Sequence, residues 1–173
     1  MNSSTGTVEV RAPDAQSSVE DAEALIAVIH AAAADIMERH DAGEPQHLHA
    51  AIAIDENRWR AAADGVTGEL LDLDKGVMVP TRDLLAKLLD RIDPVARRQG
   101  NSPGIDHARA LLEFDMPGTL RAIARSDGIR GVCDWLATRT EQTALRHDSP
   151  TNPPGTDVAC PNERRSRPTK MVR

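Results

Sequence analysis

Apolar residues recur at helical spacing along most of the chain. Val19, Ala22, Ile26, Ile29, Ala33 and Ile36 follow one another at steps of three and four, with Met37 adjoining, so one apolar stripe runs along a long helix. Ser18 with Asp21 marks its start in the manner of a capping box, Asp standing in for the usual Glu. Asp41-Ala42-Gly43 followed by Glu44-Pro45 marks its end. A second helix is predicted over Leu48–Asp64, with Gly65 as its stop. On it Trp59 shares a face with Ile52, Ala62 and Ala63, which predicts a buried Trp59. Glu69-Leu70-Leu71-Asp72-Leu73 and Val77-Met78-Val79 flank Asp74-Lys75-Gly76, the pattern of a small hairpin.

Thr81 is placed to cap a third helix whose buried stripe is Leu84, Leu85, Leu88, Leu89, Ile92 and Val95, closed by Gly100. Pro94 falls inside this pattern and predicts a kink or a stop near Asp93. Shorter helical segments follow at Ile105–Phe114 and Thr119–Arg125. A last helix over Ile129–Leu145 carries Val132, Leu136 and Thr140 along one side. No internal repeat is seen. The fold class is mostly α: an irregular helical bundle with one small β-hairpin.

The two ends read differently. Residues 1–17 are rich in Ser, Thr, Gly and charge and are expected to form a disordered leader. Residues 147–173 carry Pro150, Pro153, Pro154, Pro161 and Pro168 beside Arg164, Arg165, Arg167, Lys170 and Arg173, and are expected to form a disordered Pro-rich basic tail. The helical domain lies between, over 18–146.

Composition sharpens this picture. The 173 residues include no tyrosine, Phe114 as the one phenylalanine, and Trp59 and Trp135 as the only tryptophans. A core short of aromatics must be built from Leu, Ile, Val and Ala, which suits helix-on-helix packing. A net charge of −6 with no base-stacking platform argues against a nucleic-acid partner. Cys133 and Cys160 make no disulfide framework and fit a reducing compartment. With no secretory h-region near the N-terminus and no run of about 18 apolar residues, the expectation is a soluble cytoplasmic protein with no membrane segment.

Chemistry-bearing residues are few. Asn57 and Arg58 project away from the Trp59 face; Arg58 can clamp a carboxylate or phosphate through its planar fork, or both can fix the hairpin by bonding backbone carbonyls. Glu56 and Arg60 are spaced to pair along one flank. His40, Asp41, Glu44, His47 and His49 lack zinc spacing and read as a solvated loop. Asp72 and Asp74 are explained by turn chemistry. His107 beside Asp106 has no nucleophile in recognisable context, and Cys133 reads as a small buried hydrophobe. No metal site and no catalytic residue is assigned.

One stretch is more specific. Glu56-Asn57-Arg58-Trp59-Arg60-Ala61-Ala62, continuing through Asp64-Gly65-Val66 and Glu69-Leu70-Leu71-Asp72, resembles a segment in the C-terminal half of the carboxylate–amine ligases, the type 2 glutamate–cysteine ligase-like family. Gly-Glu-Pro at 43–45, Val79-Pro80-Thr81-Arg82-Asp83-Leu84-Leu85, Gly100, Gly118-Thr119-Leu120-Arg121 and Gly131-Val132-Cys133-Asp134-Trp135-Leu136 continue it, so that it covers roughly residues 41–141. The resemblance implies the C-terminal part of a glutamine-synthetase-like α+β ligase fold. It also implies a reaction in which ATP phosphorylates a carboxylate and an amine then attacks the acyl phosphate, with ATP and Mg²⁺ as cofactors.

In that family a large antiparallel sheet precedes this region and carries the acidic metal ligands and most of the nucleotide site; it has no counterpart in these residues. Ala63, Asp64 and Ala122 replace polar groups common in the family. Asn57, Arg58, Arg60 and Arg121 are therefore candidates for substrate or phosphate binding, in a truncated or split ligase not active alone and with no cofactor held by this chain alone. The other reading is a non-catalytic helical protein-interaction or regulatory domain. A separate chain supplying the catalytic sheet, or a homo-oligomer, is the expected partner, and in the isolated chain the stripe of Leu84, Leu88 and Ile92 is expected to stay partly exposed.

Overall fold

A computed structural model describes residues 9–10, 13–45 and 47–147. Among them are five helices, α1 (Val19–Asp41), α2 (Ala51–Asp64), α3 (Thr81–Arg98), α4 (Ser102–Leu111) and α5 (Met116–His147). A single 3₁₀ turn, Gly65–Thr67, and two strands, β1 (Glu69–Asp72) and β2 (Val77–Pro80), lie between α2 and α3. The protein is mostly α with one small antiparallel hairpin. The stretch of the predicted leader that is described, 9–10 and 13–17, holds no helix or strand, and 148–173 of the predicted tail lies outside the described residues.

Local chemistry sets the boundaries. Ser18 Oγ accepts from the Asp21 backbone N–H at 3.2 Å, capping α1 as expected. The Asp21 carboxylate does not reach back to complete a capping box; it is drawn inward to His107 and Arg139. α3 ends in a Schellman motif: the Asn101 N–H donates to the Ala96 carbonyl and the Gly100 N–H to that of Arg97, with Gly100 at φ 75°. The hairpin turn is built on Asp72, whose carboxylate accepts the Asp74 and Lys75 N–H groups, each at 3.2 Å. Leu70 pairs with Val79 and Leu71 with Met78.

Several expectations are corrected. α2 begins at Ala51, not Leu48, and Leu48 is left almost fully exposed. Thr81 does not cap α3; Pro80 occupies the cap position, and the Thr81 N–H donates instead to the Gly68 carbonyl. α3 does not stop near Asp93 but continues through Pro94 to Arg98. The carbonyl deprived of its donor belongs to Asp90, and both Asp90 and Pro94 lie on the exposed side, where water can serve it. The two helices expected near the end of the chain, over Thr119–Arg125 and Ile129–Leu145, are both present within α5, which is two helices meeting at a kink at Gly128, whose φ of 68° and ψ of −171° lie outside helical geometry.

The core joins three helices. Ala24, Ala27 and Ala31 of α1, Leu89, Ile92, Val95 and Ala96 of α3, and Ile105 and Ala108 of α4 form one buried cluster. Ile92 and Ile105 have no exposed surface, which corrects the expectation that Ile92 stays partly open; Leu84 and Leu88 are half-buried. The larger surprise is α1. Much of its 3-4 stripe faces solvent, with Ile26 65% and Met37 66% exposed while Ala22 and Ile29 are half-buried, and the alanine face opposite is the one that packs. Cys133 is exposed rather than buried. No described helix is long and apolar enough to cross a membrane.

Candidate functional site

The family-like string sits on α2, so what holds α2 decides what that string can do. Asn57 is the main clamp. Its Nδ2 donates to the Leu71 carbonyl and its Oδ1 accepts the Leu71 N–H, both at 2.8 Å. A side-chain amide thus takes the place of a third strand along the outer edge of β1. At the far end of α2 the Arg121 guanidinium donates to the Ala63 carbonyl, one of the terminal carbonyls left without a helical partner.

The start of α5 is fixed for that reach. Asp115 caps it, accepting the Gly118 N–H at 3.0 Å, and a Cβ on Gly65 would lie 2.9 Å from Pro117 Cγ. Gly65, Gly118 and Arg121 thus belong to one joint between α2 and α5.

Of the four sequence candidates, two are spent on backbone. Asn57 and Arg121 hold the hairpin and α5 in place, the structural alternative left open for Asn57. Arg58 pairs with Asp55 at 3.3 Å, both side chains more than two-thirds exposed, and Arg60 pairs with Glu56 at 2.8 Å. Arg58 and Arg60 project roughly 160° apart around the helix and do not converge. Arg58 is therefore the cation best placed to meet something outside the chain.

α2 buries none of its residues. Leu48 is 96% exposed, Ile52 80% and Trp59 65%, so the expected burial of Trp59 is overturned. Only the Asn57 side of the helix meets the hairpin, and the Ile52–Trp59 side is left without a cover among the described residues. Losing the clamp should be costly: Asn57→Ala leaves the part-buried Leu71 amide and carbonyl unpaired, for about 2 kcal/mol. Urea denaturation measures the loss, and hydrogen exchange should quicken at the Leu71 amide; an unchanged midpoint contradicts the clamp.

The histidine-rich loop lines a polar cleft of about 510 Å³ with Arg39, Glu44, Asp74 and Arg91. His49 Nε2 lies 3.4 Å from Asp74 Oδ1, while Arg39 is taken by Glu44 at 2.6 Å and Arg91 by Asp35 at 3.1 Å. Among the described residues no three His, Cys, Asp or Glu side chains are grouped to hold a metal ion. Burial pushes the Asp72 carboxyl up, but the hydrogen bonds from Lys75 and Asp74 outweigh it and leave it below its ordinary value, a turn acid rather than a proton donor.

Sequence reasoning missed one buried polar cluster. Asp21 of α1 accepts from Nε2 of His107 at 2.8 Å and from Nη2 of Arg139 at 2.7 Å. The Arg139 guanidinium also lies over the rings of Phe114 and Trp135, at 5.6 and 5.7 Å. These residues are separated by 86 and 118 positions, and no local motif announces the pairing.

The sequence profile of glutamate-cysteine ligase family 2 matches residues 1–134. A protein of Mycobacterium sp. (strain KMS) named "Putative glutamate--cysteine ligase 2-2" is 34% identical over 140 residues, covering 78% of this chain and 38% of that protein. The "Glutamate--cysteine ligase" of Haloferax volcanii is 30% identical over 132 residues, covering 76% of this chain and 34% of its own length. The chain thus spans little more than a third of these relatives. No solved structure matches it significantly. The chain belongs to glutamate-cysteine ligase family 2.

Proposed function

We propose that this chain is the helical portion of an ATP-dependent carboxylate–amine ligase of the glutamate–cysteine type, a truncated or split member that works in the cytoplasm only when a separate chain supplies the catalytic sheet. The observation that carries the reading is the face of α2. The helix that bears the family likeness also bears Ile52 and Trp59, exposed at 80% and 65%, and is anchored to the hairpin through Asn57 and to α5 through Arg121. A large apolar side chain fixed in water on a clamped helix is the arrangement of a surface meant to be covered.

The residues present do not fit a Mg²⁺–nucleotide cradle. No acidic trio is assembled among the described residues, and two of the four candidate phosphate ligands are spent on backbone carbonyls. ATP and Mg²⁺ are therefore assigned to the partner chain. What this chain contributes is a positioned guanidinium, Arg58, beside an apolar docking face.

The test is reconstitution. The segment of the mycobacterial relative that this chain does not cover is co-expressed with the full chain, and ATP-dependent amide formation between glutamate and cysteine is assayed. A complex with turnover is expected. Amide formation by the pure chain, or no ATP-dependent product from the mixture, overturns the reading. In the active mixture Arg58→Lys should change stability by less than about 0.5 kcal/mol, because its ion pair is solvated. It should nonetheless abolish turnover, because an ammonium cannot replace a bidentate fork; full activity in Arg58→Lys would show that Arg58 only decorates the surface.

A further inference from the structure

We infer that the second half of α5, residues 129–147, is a strap that hinges at Gly128 and is latched against the start of α1 by Arg139, so that α5 has a folded-back and a straight position. This uses none of the α2 residues and stands apart from the ligase reading.

The first observation is how sharply α5 turns. A straight helix would carry Arg139 about 34 Å along the axis from Met116. Yet the Arg139 guanidinium lies 5.6 Å from the centre of the ring of Phe114, which precedes the first residue of α5. That separation lies within the reach of the two side chains only if the second half doubles back toward the first. A single residue makes the turn. Gly128, at φ 68° and ψ −171°, occupies a region essentially reserved for glycine. Both halves are helical up to the kink, so a change of conformation at this one residue straightens the whole element.

The second observation is what holds the strap down. No apolar residue of α5 is buried among the described residues, and the core cluster is drawn from α1, α3 and α4. On the strap Val132, Trp135 and Leu136 are only half-buried. Thr143 is buried, but its hydroxyl donates to the Arg139 carbonyl of its own helix. What the strap offers the rest of the molecule is Arg139, whose Nη2 donates to Asp21 at 2.7 Å and whose guanidinium lies over Phe114 and Trp135. Its Nε is buried without a hydrogen-bond partner, so the closed position leaves one donor unsatisfied. An element with so little buried apolar area, held largely by a charged side chain, opens at a lower free energy than the core.

The third is what the strap covers. A cleft of about 370 Å³ lies between it and the start of α1, with Ser18, Asp21 and His107 on one side and Arg139, Gln142 and Thr143 on the other. Lifting the strap removes the second wall and opens Asp21, now 3% exposed, to solvent. The position of α5 thus sets access to the Asp21–His107 pair.

Spin labels at Glu113→Cys and Thr140→Cys, both exposed positions, read that position in a full chain that also carries Cys133→Ser and Cys160→Ser. With no other change the labels should be mainly close together, whereas a straight α5 sets them more than about 30 Å apart. Gly128→Ala should raise the ratio of far to close at least about 10-fold, because alanine is strained in the kink and favours the straight helix. A methyl there meets no atom within 4 Å, so only the backbone conformation resists it. Arg139→Gln should raise the same ratio at least about 10-fold by releasing the latch. Both variants should keep their helical circular dichroism and the protected amides of Ile92 and Ile105.

Labels that stay close in both variants overturn the proposal. Loss of the helical signal or of core protection in either also overturns it, because the strap would then belong to one folding unit with the core. A broad smear of distances in place of a distinct long one overturns the straight position and marks a frayed end.

Discussion

Gly104→Val is expected to cost about 3 kcal/mol or more and to lower the urea midpoint of the whole domain. Gly104 lies where α4 meets α1 most closely: a Cβ built on it stands 2.4 Å from Ala27 Cβ and 3.5 Å from the Glu23 carbonyl oxygen. The neighbour is a short, rigid side chain on a buried helix face, so it cannot swing away. Competing effects decide the milder variant. Gly104→Ala gains about 1 kcal/mol in helix propensity. It must also push apart α1 and α4, whose contact includes Ala24, Ala27 and the fully buried Ile105, an overpacking cost of typically about 1–3 kcal/mol. Sterics should win, leaving Gly104→Ala about 1 kcal/mol less stable than wild type, with valine worse because its branch lengthens the clash. A Gly104→Ala protein as stable as wild type, or more so, would show that α1 and α4 do not approach this closely.

That seam also explains which features of the fold can be read in the sequence. Element existence is legible wherever period and punctuation agree: the Asp-Lys-Gly turn, the Gly65 stop and the Gly100 stop are all used as predicted. The orientation of α1 is not legible, because both of its faces are apolar and periodicity favours the one with larger side chains. The structure selects the alanine face since only small residues let α1 approach Gly104 and α3 so closely, trading side-chain area for contact between helices. Trp59 fails for a related reason. Its spacing identifies an apolar face of α2, but spacing carries no information about whether anything in the chain covers that face.

The candidate site divides in the same way. The asparagine and arginine of the family-like segments are visible in sequence, yet their partners are backbone groups of Leu71 and Ala63, which carry no side-chain signature. Residue type therefore suggests ligand binding where geometry shows a joint, and only Arg58 keeps the exposure that contact with another molecule requires. Cys133 lies near a stripe, which by itself implies burial. The long final helix touches the core so little that its near-stripe positions stay in solvent.

The cluster around Asp21 yields the second large effect and a pH signature. Asp21 is 3% exposed and anchors the start of α1 to α4 through His107 and to α5 through Arg139. Asp21→Asn keeps the size but removes the charge and turns one acceptor into a donor, so that Arg139 loses its ionic partner and His107 keeps its bond only by accepting at Nε2 in its other tautomer. Breaking a buried pair costs about 3–5 kcal/mol when both partners are dry. Arg139 and His107 are 29% and 38% exposed, so water can recover some of this and about 2–3 kcal/mol is expected.

Burial pushes the Asp21 carboxyl up, yet the hydrogen bonds and charge of His107 and Arg139 together pull it further down, so its folded-state pKa lies below 3.8. A lowered carboxylate pKa means that the unfolded chain binds the proton more readily. The stabilisation is therefore complete above the unfolded value and lost as pH falls through the folded one. Wild type and Asp21→Asn should differ by the full amount at neutral pH and draw together only as pH falls below 3.8 and through the lower folded-state value, where a protonated Asp21 behaves like the amide. Urea titrations of both proteins from neutral to acid pH measure this. A gap of equal size at both ends would mean that shape, and not the charge on Asp21, ties α1 to the rest of the molecule.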